Sequence, residues 1–194
     1  DHVDAIPQFV ETFGCPVVTD EHVASVVTHP LAWRLPCISP EQIVVDRQTH
    51  HGQQWQWHEF TITAYHLPGQ TQYHSGLLLE GHRVRVLFAG DSFTMAGIDD
   101  YCVGNRNFLG KGVGFDACLE LVARLAPDVI LNCHVDKAFA FDLEQCRYMR
   151  ANLARRVQIG TALLPWDDPN YALDEHWVRC HPYEQRVSPG KEIQ

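Results

Sequence analysis

The chain has no block of positive charge, no closely spaced cysteine pair and no long apolar run, and each absence closes off a class of function. Its 15 Lys and Arg are outnumbered by 24 Asp and Glu, for a formal charge of -9, and they nowhere cluster. A surface that tracks nucleic-acid phosphates needs the opposite balance, so no nucleic-acid partner is expected. The seven cysteines (Cys15, Cys37, Cys102, Cys118, Cys133, Cys146, Cys180) are odd in number, scattered, and contain no C-x-x-C. That pattern fits neither a disulfide framework nor a zinc ribbon, and it reads as reduced thiols in a cytoplasmic protein. No apolar stretch approaches the roughly 20 residues that span a bilayer, so no membrane partner is expected. There is also no initiator methionine: the chain opens on Asp1-His2, which predicts an incomplete piece cut at a processing or boundary site.

What is present is enough apolar material, 45% of 194 residues, for one packed domain, together with twelve histidines. Val3, Ile6, Phe9, Val10 and Phe13 recur at helical spacing, with Gly14 as a left-handed stop. A short β-like stretch at 16–18 leads into a helix capped by Thr19-Asp20 and ending near Val27. After a proline-rich connection, Ile43 to Asp46 and Trp55 to His66 alternate as antiparallel strands around a His51-Gly52 turn. Gly76–Glu80 and Val84–Ala89 form a hairpin through Gly81-His82. Asp116 starts a further helix, Val129–Asn132 is a buried strand, and 142–158 is helical. The pattern changes beyond Pro165, where Trp177 to Tyr183 reads as a lone strand. The expected division is a domain over 1–164 and an extension over 165–194 that opens a further unit.

Four polar features fall where secondary structure ends: Asp1-His2 before a helix, His66 to His74 between strands, Asp91 after a strand and His134 after another. Loops at strand ends are where a rigid sheet brings distant ligands to one ion. Imidazole and carboxylate donors together suit Zn²⁺, Fe or Mn²⁺.

Leu67-Pro68-Gly69-Gln70-Thr71, His74, the run Leu87-Phe88-Ala89-Gly90-Asp91-Ser92-Phe93, and a helix and strand leading to His134 together resemble the metallo-β-lactamase superfamily. Its members carry His-x-His-x-Asp-His, Pro-Gly-His-Thr, a Gly-Asp strand end and a late histidine. Asp1-His2 is similar to the end of the first motif, and the resemblance runs from residue 1 to about 160. It implies an α/β (α+β) chain with the αββα architecture, incomplete at its N-terminus. It also implies a metal-dependent hydrolase of a small-molecule ester, thioester, lactone or similar bond, or alternatively a metallo-oxidoreductase of the same superfamily, with zinc as cofactor and up to two ions in the intact protein. The implied second metal position consists of Asp1, His2, Asp91 and His134. Asp91 would bridge two ions, and Asp1 would orient the nucleophile.

The match departs from the family in two places. The two histidines of His-x-His would lie upstream of Asp1, so this piece by itself is expected to be weakly active or inactive. Gln70 stands where the family has a metal-binding histidine, and an amide oxygen is a poor zinc ligand beside imidazole. His74 is the favoured substitute, with His66 the alternative, or the first position is empty; a chain that has lost dinuclear catalysis would serve as a ligand-binding or sensory module. Three other features carry less. His50-His51 and His58 lie in the Trp-rich hairpin, where adjacent strand residues face opposite sides. Cys133 beside His134 would point away from it on a strand. The glycine-rich stretch from Gly104 to Gly114 lacks Walker spacing and reads either as a loop over the site, with Tyr101 or Asn105 reaching substrate, or equally as a plain surface loop.

Overall fold

The structure is a computed structural model that describes residues 2–34, 39–71, 73–97, 114–163 and 185–186. Helix α1 spans Ile6–Phe13, has proline in its first turn, and ends at Gly14 (φ 60°), whose N–H bonds Val10 O. Proline fits there because the first-turn N–H groups have no intrahelical partner. Strand β1 (Val18–Asp20) runs directly into α2 (Glu21–Val27), and the Asp20 side chain accepts from His22 N as the N-cap. A 3₁₀ turn at Pro30–Ala32 precedes β2 (Trp33–Arg34). Next come β3 (Arg47–Thr49), β4 (Gln54–Trp57), β5 (Phe60–His66), β6 (Ser75–Gly81) and β7 (Val84–Phe88). Helix α3 (Gly114–Leu125), β8 (Val129–Leu131), β9 (Phe139–Ala140) and α4 (Leu143–Leu163) follow, and β10 (Gln185–Arg186) pairs antiparallel with β2.

Strands β4 to β9 form one sheet in sequence order. It is antiparallel from β4 to β7. The β7–β8 step, spanned by the α3 crossover, is parallel, as a crossover connection requires, and places the carboxyl ends of both strands at the same edge. One face of the sheet carries Leu78, Leu87 and Ile130, which pack with Phe115, Leu119 and Val122 of α3 and Met149 and Leu153 of α4 in a single buried cluster. Each such side chain contributes about 1.5–3 kcal/mol of transfer free energy, so this layer anchors the strand ends. An ion pair from Arg150 to Glu120 ties α4 to α3. Among the described residues the other face is covered in part: β1 and β3 pair parallel and β1 contacts β5, where Ala64 is buried. Farther along the same face, Leu77, Val84, Phe88 and Trp57 are exposed.

Most expected elements are present, and the differences have local causes. The strand expected at 43–46 forms instead at Arg47–Thr49, and it pairs parallel with β1 rather than antiparallel with its successor. The long strand expected from 55 to 66 is broken by a turn in which His58 takes φ 53°. The following hairpin turns on His82-Arg83, both at positive φ, rather than on Gly81-His82. Two left-handed residues give the type I′ turn that matches strand twist, and here it forms without glycine at either position. The strand expected at 177–183 lies outside the described residues. So does the 165–194 extension except for Gln185–Arg186.

Candidate metal centre

The carboxyl ends of β7 and β8 deliver the chemistry. Ala89 N bonds Leu131 O and Cys133 N bonds Gly90 O, so the two exits remain paired past the last strand residue. Gly90 takes φ +52°, and a β-carbon there would fall 2.5 Å from His74 Nε2. This kink turns Asp91 out of the strand line, and only glycine fits it. On the neighbouring exit, buried Asn132 accepts from His134 N through Oδ1 (2.8 Å) and donates from Nδ2 to Phe93 O (3.0 Å), fixing the turn that presents Cys133 and His134. His2 reaches the same point from the segment ahead of α1, with its own backbone in the left-handed region (φ 61°). A non-glycine residue held there is a sign of local constraint.

Three donor atoms converge. His2 Nε2 lies 3.2 Å from His134 Nε2 and 3.4 Å from Asp91 Oδ1, and His134 Nε2 lies 3.3 Å from the same oxygen. Cys133 Sγ donates to Asp91 Oδ1 at 2.5 Å and is 3.9 Å from His2 Nε2. These four side chains form the one group of three or more His, Cys, Asp or Glu donors found close enough to share an ion among the described residues. Zinc–ligand bonds of about 2.0–2.1 Å in tetrahedral geometry imply donor–donor edges of about 3.3 Å. The His2–Asp91–His134 triangle has those edges, so the residues present fit the ion.

The electrostatics agree. Burial works against ionisation of Asp91, but the Cys133 thiol and then His2, His134 and His74 outweigh it and hold the carboxyl below its usual range. The thiol itself is pushed up to about 12 by burial and by its bond to that carboxylate. Gln70 Nε2 donates to the second oxygen, Asp91 Oδ2, at 3.3 Å.

Among the expected ligands, His2, Asp91 and His134 are brought together. Asp1 lies outside the described residues, as do Tyr101 and Asn105. His74 is not part of the convergent set: it packs under Gly90, and its Nδ1 is 3.2 Å from Ser92 Oγ. Burial lowers it to about 4 despite the opposing pull of Asp91, so near neutral pH it is uncharged. His66 stacks on His22 with ring centroids 3.9 Å apart. His50 pairs with Glu21, and His51 Nδ1 accepts from His66 N. Cys133 was missed because strand alternation was extended one turn too far. β8 ends at Leu131, and in the following turn adjacent side chains can face one point. The signal available was the Asn-Cys-His run directly after a buried apolar strand.

No protein-family model and no curated protein sequence matches the chain. Solved structures do. A motif variant of a metallo-β-lactamase from Cronobacter sakazakii superposes with a TM-score of 0.62 at 16% identity, over 84% of this chain and 73% of that one. A class B3 di-zinc metallo-β-lactamase from an Alaskan soil metagenome gives 0.53 at 17% identity, over 84% and 67%. A metallo-β-lactamase from Novosphingobium pentaromativorans gives 0.59 at 12% identity, over 81% and 65%. The chain therefore has the metallo-β-lactamase fold. No helix among the described residues is long and apolar enough to cross a membrane.

Proposed function

We propose that the protein is a metal-dependent hydrolase acting on an ester, thioester, lactone or similar bond of a small molecule, with His2, Asp91 and His134 holding the ion. The observation that carries this reading is the donor triangle with edges of 3.2, 3.3 and 3.4 Å at the end of two parallel strands. The solved neighbours include a di-zinc enzyme, and the donor chemistry favours zinc, with Fe or Mn as substitutes. A divalent ion in such a position acidifies water toward neutral pH and polarises a carbonyl or phosphoryl oxygen. The chain's own residues supply the rest. Asp91 is held ionised, Gln70 fixes the rotation of its carboxylate through Oδ2, and Asn132 fixes the backbone at His134. Asp1, next in sequence to His2, is assigned the role of orienting the nucleophile.

Gln70 supports a centre with one well-built position over a symmetric pair. Its amide donates to Asp91 where the family pattern has an imidazole nitrogen, and His74 faces Gly90 and Ser92. Elemental analysis of purified protein after zinc loading and desalting, coupled to hydrolysis of a panel of nitrophenyl esters, thioesters and lactones, tests the reading. Zinc bound by the wild-type chain and lost in Asp91→Asn is the expected result, with any turnover, weak in this piece, abolished by the same change. Turnover that survives Asp91→Asn would refute it.

A further inference from the structure

We infer that Cys133 is itself a ligand of the ion, making the centre a sulfur-containing Cys-His-His-Asp set. The inference rests on the proposed metal centre and adds a donor at a position that neither the Gly-Asp strand end nor the late histidine supplies.

The sulfur is placed by the backbone, independently of its hydrogen bond. Cys133 N is bonded to Gly90 O, the residue before Asp91, and the next residue is locked by Asn132. The side chain therefore leaves the β8 exit directly over the β7 exit. Its Sγ meets two corners of the donor triangle, Asp91 Oδ1 and His2 Nε2, at 2.5 and 3.9 Å. A tetrahedral ion with zinc–sulfur and zinc–nitrogen bonds of about 2.3 and 2.0 Å sets a sulfur–nitrogen edge of about 3.5 Å. The His2 edge is already near that value. The Asp91 edge is a thiol–carboxylate hydrogen bond in the metal-free chain. When the ion binds, that S–H bond breaks, its electron pair becomes the sulfur–metal bond, and the proton leaves to solvent; the two anionic donors then separate to either side of the cation.

The consequences differ from those of an all-nitrogen and oxygen site. A thiolate donor prefers zinc, cobalt or cadmium over manganese. Four protein donors also close a tetrahedron, so water or substrate at this ion must take a fifth position.

Cobalt(II) reports sulfur ligation directly, through a sulfur-to-metal charge-transfer band in the near ultraviolet. Titration of the intact chain with cobalt is expected to produce that band. Cys133→Ala is expected to abolish it while still binding cobalt, about 10-fold or more weakly, and Cys15→Ala is expected to retain it. X-ray absorption of the zinc-loaded wild-type chain needs no variant to fold, and it is expected to show one sulfur neighbour at about 2.3 Å. Cobalt bound without the band, with only nitrogen and oxygen around zinc, would overturn the thiolate ligand and leave the hydrolase reading standing. A band that persists in Cys133→Ala would also overturn it. No ion bound by the wild-type chain would overturn both.

Discussion

Among the described residues two pairs of histidine rings are in contact, and one of the two is arranged to hold an ion. His2 and His134 meet edge to face, with Nε2 atoms 3.2 Å apart and both within 3.4 Å of one Asp91 oxygen. His22 and His66 lie face to face, 3.9 Å between centroids and 4° from parallel. Ring nitrogens present their lone pairs in the ring plane, so parallel stacked rings aim them side by side and not at a common point. Asp20 is already engaged beside that pair, since its Oδ1 caps α2 and bonds His22 Nδ1. A carboxylate and two imidazoles are present in both places. What separates them is the backbone: two parallel strand ends and the segment ahead of α1 converge at the first pair, whereas the second belongs to a helix start packed against a neighbouring strand.

The largest effect that would sharpen this contrast is on metal affinity. Asp91→Asn or His134→Ala is expected to weaken zinc by more than about 100-fold, beyond the loss typical of residues that only support ligands. His22→Ala and His66→Ala are expected to leave zinc affinity unchanged. Competitive titration against a chelating dye measures all four, and a large loss in His22→Ala would erase the distinction.

A second test uses His74, which is close to the centre but outside the donor set. Its folded-state pKa is about 4 because burial disfavours the charged form. In the unfolded chain it titrates near the ordinary 6.5, so between those values the unfolded state binds more protons. Stability is therefore fully present above about pH 6.5 and falls as pH drops toward 4, by at most about 3.4 kcal/mol at 1.36 kcal/mol per unit. Urea unfolding of the metal-free chain across this range is expected to show that slope, flattened in His74→Gln. An unchanged slope in the variant would mean that His74 is not a buried neutral group.

Asn132 offers a smaller effect of a different kind. Removing its amide in Asn132→Ala leaves His134 N, in a half-buried position, and Phe93 O, in a buried one, without this partner, a cost of about 1–3 kcal/mol. Zinc affinity is expected to fall about 10-fold, because His134 loses the bond that sets its turn but keeps its ring. Loss as great as in His134→Ala would place Asn132 among the ligands.

Much of this was legible in the sequence where local chemistry decides it. Gly14 marked a helix end, Asp20 a cap, and the apolar runs at 84–89 and 129–132 marked strands whose ends carry Asp91 and His134. Pairing was less legible. Periodicity shows which side of a strand is apolar but not its partner, so the parallel union of Arg47–Thr49 with β1 could not be read from alternation. Turns without glycine, at His58 and at His82-Arg83, were misplaced for a related reason: left-handed backbone in ordinary residues is set by the strands they join. The same limit hid Cys133. The rule that neighbouring side chains point apart holds only while the strand lasts, and the strand stops two residues earlier.

The smallest predicted effect is on Asp20, and it asks whether the stacked pair is structural. Asp20 is almost fully buried, one oxygen caps α2, and the other, Oδ2, has no hydrogen-bond partner among the described residues. Asp20→Ala removes the cap and is expected to cost about 1 kcal/mol. Asp20→Asn keeps a capping oxygen while removing a buried charge, so its expected effect is within about 0.5 kcal/mol of wild type. Neither change is expected to alter zinc stoichiometry. If Asp20→Asn were the more damaging of the two in urea unfolding, the negative charge beside His22 would matter more than the cap. The His22–His66 stack would then be an electrostatic element with its own role, and the contrast with the His2–His134 centre would narrow from function versus structure to two kinds of charged site.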